Sequence, residues 1–175
     1  MQYQGKFTIG RKENIRYNLF VTGSRFLFMT VLVFVVIALM LGVTTYGQTK
    51  SIQQALIRAL PMALGGAALF VVLNTVMMIF RINKAYKSKT AYEFTQDITI
   101  DGQGVHATSE RGSALLAWEK IAKVAESGKT FYLFLSKTQA YVLPKYQMKD
   151  PEAEAAQVRE LLRSHLDAKI LKLKK

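Results

Sequence analysis

The stretch RINKAYKSKTAYEF, residues Arg81–Phe94, decides how the chain is organised. It begins where an uncharged run, Ala59–Phe80, ends, and it places Arg81, Lys84, Lys87 and Lys89 within nine positions. From Tyr92 onward the apolar residues Tyr92, Phe94, Ile98 and Ile100 alternate with Glu93, Thr95, Asp97, Thr99 and Asp101. An apolar period too long for a soluble helix face thus passes, across a basic hinge, into the two-residue period of a half-buried strand.

Working backward, a second uncharged run occupies Phe26–Tyr46. The two runs, 21 and 22 residues long, each reach roughly 30 Å as helices, the thickness of a bilayer's hydrocarbon core. Thirteen Leu, Ile, Phe or Val residues in the first run favour insertion by roughly 4–8 kcal/mol. The second run carries ten such residues together with Pro61, Gly65, Gly66 and Asn74. Both are expected to be transmembrane helices, 26–46 and 59–80, joined by an external connector, 47–58. Ser51 and Gln54 form a capping-box pattern that could start the second helix early. Lys6, Arg11, Lys12, Arg16 and Arg25 precede the first run, and the Arg81–Lys89 cluster follows the second. The positive-inside rule then places both termini in the cytoplasm and makes the chain a multi-pass plasma-membrane protein. The cations of the juxtamembrane linker 81–91 are candidate contacts for anionic lipid headgroups.

Small residues supply a packing face between the helices. Ala38 and Gly42 lie at the depths of Ala67 and Ala63, and Asn74 lies near the depth of Thr30, a candidate hydrogen-bond partner. An intramembrane Asn also fits a homo-oligomeric pore or transport component, or an immunity factor against a membrane-active peptide.

The charge of +12 at pH 7 does not indicate a nucleic-acid partner. Residues 1–91 hold eleven Lys or Arg against one acid, Glu13, whereas residues 92–168 hold nine basic and eleven acidic side chains. The excess therefore lies around the apolar runs and in the tail 169–175, not on a folded domain. With no cysteine, the chain has neither disulfides nor thiolate metal sites. It shows no nucleophile–histidine–acid motif, no P-loop and no H-E-x-x-H, so a non-enzymatic role without catalytic residues, cofactor or metal is expected.

Working forward, Val105–Ser109 reads as the strand returning from the turn Asp101–Gly104. Arg111-Gly112-Ser113 reads as a second turn. Strands are expected at Ala114–Ala117, Ile121–Glu126, Thr130–Ser136 and Gln139–Leu143. Thr130–Ser136 is apolar on both faces and should be central. Asp150, Pro151, Glu152 and Glu154 mark a helix start, after which Val158, Leu161, Leu162 and His165 share a face. Six strands and a terminal helix resemble the plan of a pleckstrin-homology-like (PH-like) domain, an antiparallel barrel or sandwich capped by the helix. Tyr3–Ile9, within the N-terminal segment 1–25, is a plausible seventh strand. The fold class expected is α+β: a two-helix transmembrane hairpin plus a PH-like domain over 92–168.

WEKIAKVAES (Trp118–Ser127), FYLFLS (Phe131–Ser136) and AYVLPKYQMKDPEAEAAQVRELL (Ala140–Leu162) carry a resemblance to the YcxB-like family of bacterial membrane proteins. The resemblance implies two membrane helices and a small PH-like domain, and it implies no activity, substrate or catalytic residue. Trp118, Lys145 and Lys149 are the candidate ligand or protein-partner surface. The leading expectation is a membrane-anchored binding or scaffold module. Its tail, with Ile170, Leu171 and Leu173 between lysines, could lie on the same bilayer.

Overall fold

The computed structural model describes residues 2–89, 91–110 and 112–173, except for the side chain of Ser24. Arg111, Lys174 and Lys175, parts of the expected second turn and tail, lie outside the described residues. The chain forms two compact units, one from residues 1–17 with 91–175 and the other from residues 18–90.

In the first unit the N-terminal strand β1 (Tyr3–Ile9) pairs antiparallel with β2 (Phe94–Ile100), from Tyr3 opposite Ile100 to Ile9 opposite Phe94. β3 (Gly104–Ser109) and β4 (Gly112–Ala117) continue the sheet in the order β1-β2-β3-β4. The period-two pattern directs Phe7, Ile98, Ile100, Val105 and Leu116 into the core, all nearly fully buried. Gly104 is required where β3 begins. Its φ is +148°, and a Cβ there would stand 2.3 Å from the Leu116 carbonyl oxygen.

The second sheet has the order β7-β6-β5-β8. It comprises β5 (Lys123–Glu126), β6 (Thr130–Phe134), β7 (Ala140–Pro144) and β8 (Leu171–Lys172). β6 lies between β5 and β7 with all five residues buried, the central place its two apolar faces require. Helix α3 (Pro151–His165) adds Ala155, Val158, Leu161 and Leu162 to the common core. The Asp150 carboxylate caps it by accepting from the N–H groups of Glu152 and Ala153.

This α+β arrangement corrects two expectations. Of the two forms expected, barrel or sandwich, the barrel is excluded, since the strands form two separate sheets. The segment after α3 is also a structural part of the unit. A 3₁₀ turn at Ala168–Ile170, capped by Asp167, leads into β8, which runs parallel to β5. Leu171 and Leu173 pack on the core and are therefore not free to lie on a lipid surface. The free edge of β1 is covered as well. The Gln147 side-chain amide accepts from the Thr8 N–H at 2.7 Å and donates to the Thr8 carbonyl at 2.9 Å, as a neighbouring strand would.

The two long helices are α1 (Arg11–Thr49) and α2 (Ile52–Lys87). Over Arg25–Thr49 and Ile52–Lys87 they are long and apolar enough to cross a membrane. Both outrun the expected 26–46 and 59–80. Helical structure continues into charged flanks because Lys and Arg are good helix formers. The connector shrinks from 47–58 to Lys50 and Ser51. Lys50 takes the left-handed conformation, φ +53°, and donates its N–H to Tyr46, while the Ser51 side chain caps α2 at Gln54. Arg81, Lys84 and Lys87 belong to the last turns of α2, not to a linker.

Within the second unit, Ala55, Ala59, Ala63 and Ala67 are buried at four-residue spacing, one stripe of α2. Ala38 and Gly42 are half-buried. The close approach lies at Gly66, where a Cβ would stand 2.7 Å from Ile37 Cδ1; at Gly42 a Cβ would meet nothing within 4 Å. The expected Asn74–Thr30 link is not formed. Asn74 Nδ2 donates to the Phe70 carbonyl and Thr30 Oγ1 to that of Phe26, each on its own helix.

Candidate functional site

The first unit buries a carboxylate between two cations. Glu126 ends β5, and its side chain has no solvent exposure. Arg159, on α3, donates from Nη2 to Oε1 at 2.7 Å and from Nε to Oε2 at 3.0 Å, the paired geometry that suits a planar guanidinium. Lys145 follows β7 directly; its Nζ donates to Glu126 Oε1 and, at 3.0 Å, to the Ser127 carbonyl. The Phe131 ring, from the intervening β6, lies 4.6 Å from Lys145 Nζ and 6.0 Å from the Arg159 guanidinium carbon. The hydrogen bond to Glu126, helped by the carboxylate's charge, outweighs burial and raises the affinity of Arg159 for its proton.

The sequence brings these groups together through two antiparallel pairings. Glu126 faces Phe131 across β5–β6, and Phe131 faces Leu143 across β6–β7, two residues before Lys145. One carboxylate against two cations leaves the cluster positive, and a carboxylate held this way is not a free nucleophile or base. Lys145 and Arg159 line an open cleft of about 520 Å³ with Lys129, Tyr146, Glu152 and the backbone at Gly128. Such a surface suits an anionic group.

Tyr146 connects the cleft to the first turns of α1. Its hydroxyl donates to Glu13, while Lys12 and Arg16 lie 5.3 and 4.8 Å from its ring centroid. Glu13 also accepts from the Gly10 N–H at 2.9 Å. Burial alone would raise the Glu13 carboxyl pKa; the hydrogen bonds from Tyr146, from the Gly10 N–H and from its own N–H, together with the Arg16 charge, outweigh it and lower it.

The residues expected to form a partner surface do not converge. Lys145 is 8% exposed and reaches the wall of the cleft with its Nζ held by Glu126. Lys149 is exposed, and its backbone N–H donates to Glu154. Trp118 donates its indole N–H to the Asp101 carbonyl at 3.1 Å and stacks on His165 at 4.7 Å. Arg81, Lys84, Lys87 and Lys89 are exposed. Sequence reasoning missed Glu126 and Arg159. The available signal was an acid ending a strand just after the apolar pair Val124-Ala125, both buried.

Residues 100–162 match the family model of YcxB-like proteins. No curated protein and no solved structure matches the chain. The YcxB-like segment contains Glu126, Lys145 and Arg159 together with Trp118, so the whole clamp falls within it. It excludes β1, the two long helices and β8.

Proposed function

We propose that the protein is a non-enzymatic, membrane-anchored binding or scaffold module. In this reading the helical pair crosses the plasma membrane, and a PH-like unit stands at its cytoplasmic face, offering its cationic cleft to an anionic group of a lipid or protein partner. The observation that carries this is the pairing of β1 with β2. Strands of one sheet occupy one compartment, which supports an even number of crossings, as a hairpin of the two apolar helices between them would make. Their outward apolar side chains, among them Leu27, Phe28, Val43, Leu64 and Phe80, are exposed and suit a lipid surround. The excess of cations before α1's apolar portion and at the end of α2 favours the cytoplasmic side for both termini.

The natural chain has no cysteine, so single-cysteine variants report topology directly. In intact cells a membrane-impermeant maleimide is expected to label Lys50→Cys and to spare Lys149→Cys until the cells are lysed. Labelling of Lys149→Cys in intact cells would reverse the orientation, and recovery of the chain in a detergent-free supernatant would remove the anchor. The lipid contact is tested with the full chain in nanodiscs. Replacing Arg81, Lys84, Lys87 and Lys89 by Ala should weaken enrichment of phosphatidylglycerol over phosphatidylcholine around the protein, and unchanged enrichment would assign these cations to topology alone.

A further inference from the structure

Resting on the binding role proposed above, we infer that the cleft of Lys129, Lys145 and Arg159 is a phosphomonoester site, which takes a dianionic terminal phosphate and leaves the rest of the ligand outside. The three cations reach the cleft from three elements: the turn between β5 and β6, the chain just after β7, and α3. Two of them are fixed before any ligand arrives. Glu126 holds Lys145 and Arg159 on the same oxygen, Oε1, and the buried Phe131 ring lies 4.6 Å from Lys145 Nζ. Little side-chain freedom is then left to lose on binding.

The clamp on Glu126 does not exhaust the donors. An ammonium has three N–H groups, and Lys145 directs two of them, to Glu126 and to the Ser127 carbonyl. Arg159 turns Nε and Nη2 to Glu126, and its Nη1 has no partner among the described residues. Lys129 is exposed. Donors on three elements suit the three oxygens of a tetrahedral phosphate better than the two coplanar oxygens of a carboxylate. Charge selects the same group. Lys129, Lys145 and Arg159, with Lys12 and Arg16 against the Tyr146 ring, are five cations. Glu126, Glu13 and Glu152 set three carboxylates among them. The difference, +2, matches the charge of about −1.5 to −2 on a phosphomonoester at pH 7. A carboxylate or a phosphodiester, with one negative charge, leaves half of it unbalanced. Glu152, exposed on the lining, opposes a second phosphate beside the first. Terminal phosphates of this kind occur on soluble phosphate esters and on phosphatidic acid, and they present the same chemistry to the cleft.

The experiment titrates inorganic phosphate into the full chain in detergent micelles, followed by calorimetry at about pH 7.5, where the dianion prevails. Saturable binding is expected, several-fold weaker in Lys129→Met and several-fold tighter in Glu152→Gln, both at exposed positions outside the Glu126 clamp. Acetate and dimethyl phosphate should compete several-fold less well than phosphate. Nanodiscs then separate the two sources. Loss of phosphate binding in discs of phosphatidic acid but not in discs of phosphatidylglycerol supports the site and assigns it to a lipid headgroup; equal binding in both supports it and assigns it to a soluble ester. No saturable binding, or binding unchanged in both variants, overturns the site. Equal competition by acetate or dimethyl phosphate overturns the monoester and leaves the cleft to another anion. The cysteine labelling, which needs no ligand, decides the membrane anchor separately.

Discussion

Replacing Arg159 by Ala should be among the most damaging single changes in the first unit. The Glu126 carboxylate it serves is fully enclosed and accepts three of its hydrogen bonds from Arg159. Removing one partner of a buried ion pair costs about 3–5 kcal/mol, because the remaining charge stays out of water. Lys145 still neutralises Glu126 in the variant, which sets the loss near the lower limit, about 3 kcal/mol. For a unit of about a hundred residues this corresponds to a fall in Tm of about 12–24 °C. Trp118 is the sole tryptophan and belongs to the same unit, stacked on His165, so its fluorescence follows unfolding of that unit in the full chain. The charge argument adds a second arm. Glu126→Leu, Lys145→Met and Arg159→Met together remove every member of the cluster and should return the stability to within about 1 kcal/mol of the natural chain, since apolar groups of similar volume often replace a buried ionic cluster without loss. A loss below about 1 kcal/mol for Arg159→Ala, or a triple variant as unstable as the single one, would refute the reasoning.

Three further outcomes follow from the described contacts. Because the Glu13 carboxyl has a lowered pKa in the folded chain, its contribution to stability is complete above the ordinary carboxylate range and is lost as pH falls through the lowered value. Acid melting curves of Glu13→Gln should therefore lack that component, and a profile identical to the natural chain's would contradict it. Gly104→Ala should cost about 2 kcal/mol or more in thermal melting, since both its φ and the Leu116 carbonyl exclude a Cβ. Asp150→Ala should remove about 1 kcal/mol by uncapping α3, with Asp150→Asn retaining most of it, as read from urea midpoints.

Much of the fold was legible wherever local chemistry and tertiary structure make the same demand. Thr130–Ser136 is apolar on both faces, and β6 is flanked by strands on both sides. Asp150-Pro151 carries a complete helix start, and α3 begins there. The count of strands left room for a seventh, Tyr3–Ile9, and its partner begins 85 residues later, at Phe94. The less legible parts depend on distant groups. β8 is two residues long and looks like a basic amphipathic tail until β5 supplies its parallel neighbour. Lys145 looked like a surface lysine because the acid that buries it lies 19 positions earlier, across two strand pairings. Asn74 and Thr30 matched in depth, yet each had a carbonyl four residues back on its own helix. Depth matching ignores that nearer competitor.

The place of β1 in the chain also governs the order of biogenesis. A ribosome delivers Tyr3–Ile9 long before Phe94–Ile100 exists, so the nascent strand must wait unzipped while both hydrophobic helices leave the exit tunnel. Any fragment starting after the second helix would be born missing one margin of its sheet, with the Phe94–Ile100 backbone bare to neighbouring chains. Completion of the first unit is thereby tied to successful synthesis of the greasy pair, and a truncated product would betray itself as an aggregating species.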